Sequence, residues 1–101
     1  MIVIRWQAPL RPTHKQAMMI YRAEDLEPHE EILTKEETYP EHRHPLDEIR
    51  MILSGELSMN INGNQLLLRS GDKIVIPSNT KHSQKVLGED PCVCLVANKP
   101  F

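Results

Sequence analysis

Turn-forming residues cut this chain into short pieces, and that punctuation limits the folds it can reach. Turn signals fall at Pro9 to Pro12, Glu27-Pro28, Tyr39-Pro40, His44-Pro45, Ser54-Gly55, Asn62-Gly63-Asn64, Ser70-Gly71, Pro77-Ser78-Asn79 and Gly88 to Pro91. Short apolar runs lie between them, which is the spacing of an all-β sandwich or barrel. Leu57, Met59 and Ile61 alternate with Ser58, Asn60 and Asn62, a period of two. Asn62-Gly63 follows at once and predicts a tight hairpin, with Gln65 to Arg69 as its return strand. Lys73 to Ile76 reads as a short strand ended by Pro77, and Cys92 to Ala97 as another between Pro91 and Pro100. Glu30 to Thr38 has a helical composition but is assigned as a strand leading into the histidines. Lys15 to Leu26 is compatible with a helical turn or with two strands.

A length of 101 residues suits one domain, 1–101, with a core that needs no disulfide. The formal net charge is -2, and the twelve Lys and Arg are scattered among fourteen Asp and Glu. A nucleic-acid partner usually demands a clustered basic face, so none is expected. The amino-terminal apolar run stops at Arg5, and no stretch approaches a membrane span, so a cytoplasmic protein is expected. Cys92 and Cys94 are too close in sequence to close a useful loop and read as small buried residues.

The chemistry concentrates in Tyr39 to Leu57, YPEHRHPLDEIRMILSGEL. His42 and His44 stand at i and i+2, which share a face in a strand. Pro45 breaks that strand, and the following turn can return Glu48 to the same point. His82 comes past the Gly71-Asp72 turn and the Pro77-Ser78-Asn79 turn and can approach from a strand lying across. Imidazoles with a carboxylate suit one divalent transition metal: Fe, Mn, Ni, Co, Cu or Zn.

The pattern His42, His44, Glu48, Gly55 resembles the first motif of the cupin superfamily, over about residues 36–55. Gly71, Pro77 and His82 resemble its second motif, over about 71–86. Three positions depart from the motifs. Glu36 stands where the first opens with Gly, Asn79 replaces an inner Gly of the second, and Val86 replaces its terminal Asn. Asn tolerates the left-handed backbone that the turn at 79 requires. The resemblance implies a small antiparallel jelly-roll β-barrel, as a homodimer, with a metal held in its mouth by His42, His44, Glu48 and His82. A barrel of this length also has edges, and the apolar strand from Ile2 to Trp6 could pair with a second subunit.

Strand parity adds further candidates. If Glu48 faces the lumen, so do Arg50 and Ile52. A guanidinium there needs an anionic partner: Glu48 or Asp47, or a substrate carboxylate or enolate that it grips bidentately. The string Asp47-Glu48-Ile49-Arg50 is similar to that of acireductone dioxygenase, a cupin enzyme, which implies that Arg50 holds substrate. Met51 replaces that family's usual Tyr, and no arginine follows Arg69. Gln84 shares parity with His82 and could reach the lumen. Met59, Cys92 and Cys94 read as core, His14 and His29 as solvated, and Trp6 as a core or interface anchor.

Three functions follow as expectations. The first is a metal-dependent enzyme, dioxygenase-like or an isomerase or lyase, acting on a small anionic or enolic molecule. Glu48 and Arg50 would be its catalytic residues, with two metal positions open to dioxygen and substrate. The second is a non-catalytic module that binds or senses a metal or small ligand. The third is a barrel whose metal only stabilises the fold.

Overall fold

Nine strands and one helix follow one another along the chain in the computed structural model, which describes residues 1–99. Pro100, the expected bound of the last strand, lies outside the described residues. The order is β1 (Ile2–Ile4), α1 (His14–Ala23), β2 (His29–Leu33), β3 (Tyr39–His42), β4 (Asp47–Ser54), β5 (Glu56–Ile61), β6 (Asn64–Leu68), β7 (Lys73–Ile76), β8 (His82–Leu87) and β9 (Cys92–Lys99). One sheet has the order β1-β7-β4-β9-β2 and the other β3-β8-β5-β6. Every pairing is antiparallel. Two such sheets packed face to face make the expected jelly roll.

Period-two patterning places the core. Ile52, Ile74, Ile76, Cys92, Cys94 and Val96 of the first sheet meet Leu57, Met59, Ile61, Leu68 and Val86 of the second. The alternate residues Ile49, Met51, Leu95 and Ala97 point the other way, into a second core. Helix α1 closes that core with Ala17 and Tyr21, both fully buried. The Tyr21 hydroxyl lies 2.9 Å from the Ile49 carbonyl oxygen and 2.7 Å from that of Leu95, so it is anchored to both central strands.

The open reading of Lys15 to Leu26 resolves as a helix. It begins with a capping box, in which the Thr13 hydroxyl accepts from Gln16 N–H and the Gln16 side chain accepts from Thr13 N–H. The strand expected over Glu30 to Thr38 is shorter and ends at Leu33. The hairpin at Asn62-Gly63 forms with both residues left-handed, φ 50° and 87°, as a two-residue turn between right-twisted strands requires.

Trp6, read as a core or interface anchor, is only half-buried. Its ring lies against Gly71, and its indole N–H donates to the Leu10 carbonyl. Asp72 holds this amino-terminal segment in place by accepting from Trp6 N–H, Arg69 N–H and the Arg5 guanidinium. Burial raises the cost of that charge, but the Arg69 and Trp6 amides and Arg5 outweigh it and hold the Asp72 carboxyl below its usual range.

Candidate metal centre

Three imidazoles converge where β3 meets β8. His42 and His82 are cross-strand partners, with ring centroids 4.2 Å apart. His44 lies 4.7 Å from the first ring and 5.1 Å from the second. One ligand nitrogen from each of the three falls within 4.8 Å of the others, close enough to share one ion. Their common direction does not come from strand parity alone, as the sequence suggested. β3 ends at His42, and His44 sits in the following loop. That loop is pinned from the second motif: Asn79 N–H donates to the His44 carbonyl at 2.6 Å, and Ser78 N–H to the Asp47 carboxylate at 2.8 Å. Asn79 is left-handed, φ 58°, so the turn forms with Asn in place of the motif's inner Gly.

Backbone carbonyls set the tautomers. His42 Nδ1 lies 2.7 Å from the Pro40 oxygen and His82 Nδ1 2.9 Å from the Thr80 oxygen. A carbonyl only accepts, so each Nδ1 carries the proton and each Nε2 presents a lone pair. That is the second-shell arrangement by which metal-ligating histidines are oriented. Burial, helped by the neighbouring His42 and His44, pushes His82 below the ordinary imidazole range, which keeps it neutral. His82 Nε2 is buried without a hydrogen-bond partner. A lone pair so placed suits a metal ion, and the donor set accepts one.

Glu48 lies beside the three histidines rather than among them. One carboxylate oxygen is 3.7 Å from His44 Nε2, and the other is 3.4 Å from Arg50 Nε. Glu48 and Arg50 are both buried, 5% and 2% exposed, on the inner face that parity predicted. The Arg50 guanidinium also donates to Glu31 at 3.0 Å. Burial works against its charge, and Glu48, Cys94 and Glu31 more than offset that. Its protein partners are therefore Glu48, one of the two proposed from sequence, and Glu31. Asp47 is occupied elsewhere, at Ser78. Sequence reasoning missed Glu31, although its period-two relation to buried Leu33 puts it on the inner face of β2. It also missed the carbonyls of Pro40 and Thr80, because every residue has a carbonyl and only folding shows which are near.

The other candidates fall where they were read. Ile52 and Met59 are fully buried in the inner core. Cys92 and Cys94 are buried free thiols, with sulfurs 3.8 Å apart. His14 and His29 are exposed. Gln84 reaches the inner face and is 9% exposed. No helix is long and apolar enough to cross a membrane among the described residues.

A family model described as Cupin domain matches residues 28–98. The chain belongs to the cupin family. Solved structures match it in fold. A conserved Streptococcus pyogenes protein of unknown function is 28% identical with a TM-score of 0.63, over 75% of this chain and 66% of its own. A structure of the DMSP lyases RdDddP and RnDddQII is 25% identical with a TM-score of 0.66, over 73% of this chain and 38% of that one. HppE, solved with FeII and substrate, is 21% identical with a TM-score of 0.63, over 76% of this chain and 47% of that one. This cupin thus spans less than half of the two enzymes. Among curated proteins, none matches the chain.

Proposed function

We propose that this cupin is a metal-dependent enzyme acting on a small anionic or enolic molecule, with His42, His44 and His82 holding one divalent transition metal and Glu48, 3.7 Å from His44, reaching in from beside them as the fourth ligand. The observation that carries the reading is the buried, unpartnered His82 Nε2, facing two further imidazoles in a site where Nδ1 of His42 and of His82 is already committed to a carbonyl. Metal-bearing neighbours support it: HppE has been solved with FeII and with CoII. A metal bound there would supply Lewis acidity and a template for substrate, and a redox-active one would also supply electrons. The chain's own residues prepare the site. Pro40 and Thr80 orient two imidazoles. Arg50 holds the Glu48 carboxylate toward His44, which makes it a positioning residue before it is a grip on substrate. The inner core around Ile52 and Met59 excludes water from below.

Metal analysis after loading tests the site, and His82→Ala should lose the ion. Full metal affinity in that variant would remove the ligand assignment. Oxygen uptake and product analysis with enediols, catechols and 1,3-diketones test turnover. Metal uptake with silence across that panel would favour the non-catalytic binding module, which the engagement of Arg50 by two protein carboxylates already makes a serious rival. We further propose a homodimer paired through β1, an edge strand whose Ile2 and Ile4 are 59% and 52% exposed.

A further inference from the structure

Among the described residues, two buried side-chain atoms lack any hydrogen-bond partner: His82 Nε2 and Gln84 Oε1. They belong to the same strand, at i and i+2, and both residues are buried on its inner face. The histidine nitrogen is explained by a metal. The amide oxygen is not, because Gln84 lies one inward step further along β8, between its cross-strand partners Met59 and Tyr39. Met59 has no donor to offer. The Tyr39 hydroxyl accepts from Thr34 N–H at 2.9 Å, and its own proton does not come within hydrogen-bond range of the Gln84 oxygen. Buried carbonyl oxygens are rarely left without a donor, and those that are call for a missing partner. A core role would be filled better by a leucine of similar size.

Charge narrows what that partner is. The inner face here carries Arg50 against Glu48 and Glu31, one positive group against two negative ones. A divalent ion added to that set leaves one positive charge, which a monoanion cancels. Two same-face residues on a strand are separated by roughly 7 Å. A ligand that meets both the metal and the Gln84 amide from neighbouring positions on one strand is therefore short. Resting on the metal-site reading, we propose that Gln84 determines specificity at this centre. Its amide oxygen accepts a hydrogen bond from the hydroxyl of a small 2-hydroxycarboxylate, whose carboxylate lies at the metal.

Glycolate and methoxyacetate test this, because they share a carboxylate and an adjacent oxygen but only glycolate has a hydroxyl to donate. Binding is read from the visible absorption of the cobalt-loaded full chain, so turnover is not needed. The wild type should bind glycolate about tenfold more tightly, the worth of one well-made hydrogen bond. Gln84→Leu should retain cobalt and lose the preference. Gln84→Glu keeps an acceptor, so it should keep the preference while binding both anions more weakly. Equal affinities in the wild type would overturn the proposal, as would a preference that persists in Gln84→Leu, since that would be steric. If the leucine variant does not fold, loss of the preference in Gln84→Glu overturns it. Failure of the wild type to take up cobalt would instead overturn the metal site, and this proposal with it.

Discussion

Arg50 and His82 illustrate how little freedom single buried polar residues have here. Arg50 sits between two carboxylates with almost no exposure, so Arg50→Met should leave Glu48 buried and unpaired. Removing one partner of a buried pair costs about 3 kcal/mol or more. Urea unfolding should show that loss, and a change below about 1 kcal/mol would mean that water already screens the pair. The pH dependence of the metal-free protein follows from His82. Its folded-state pKa lies below the ordinary 6.5, so the unfolded chain binds the proton first as pH falls. This residue therefore leaves stability unchanged well above pH 6.5 and lowers it progressively below. His82→Gln should flatten that part of the stability profile; an unchanged slope would assign it to other groups. The inward aim of His82 and Arg50 was legible in the sequence, since parity needs only a strand. The hold of Glu31 on Arg50 was not, because it crosses β9 between strands distant in the chain.

At the scale of elements, turns and caps decide more than strands do. Gly71 has φ +93°, and a Cβ added there would overlap the Trp6 ring. Gly71→Ala therefore combines backbone strain with a clash against a partly buried indole. It should cost on the order of 2 kcal/mol, seen as a lower thermal midpoint with quenching-sensitive Trp6 fluorescence. Asp72 makes the same segment acid-sensitive. Its folded-state pKa is lowered, so its contribution is fully present above the ordinary carboxylate value of 3.8 and is lost as pH falls through the lowered one. Helix α1 was ambiguous in the sequence for a physical reason: among its residues only Ala17 and Tyr21 are buried, too few to impose a clear helical stripe. The signal that could have settled it was Thr13 followed three residues later by Gln16, a capping box. Thr13→Ala should cost about 1 kcal/mol, measured by chemical denaturation.

For the whole molecule, the metal and the second copy are the open couplings. A divalent ion at a hundred times its dissociation constant would add about 2.7 kcal/mol to the folded state, so chelation should lower the thermal midpoint reversibly and His82→Ala should abolish the effect. Sedimentation at low micromolar concentration should report a dimer, and a charge placed at Ile2 or Ile4 should dissociate it; a monomeric wild type would remove the β1 pairing. Sequence alone determined an all-β sandwich or barrel and which three histidines could meet, because period-two patterning, left-handed Asn and Gly turns and short ligand spacings are local properties; the jelly roll came with the resemblance to the cupins. Tertiary structure decided what those residues do together. It put His44 in a loop pinned by Asn79, gave His42 and His82 their carbonyl partners, engaged Arg50 with Glu31 and left the Gln84 oxygen without a donor. Each of those depends on backbone groups or side chains that only the packing of one sheet against the other brings within hydrogen-bond range.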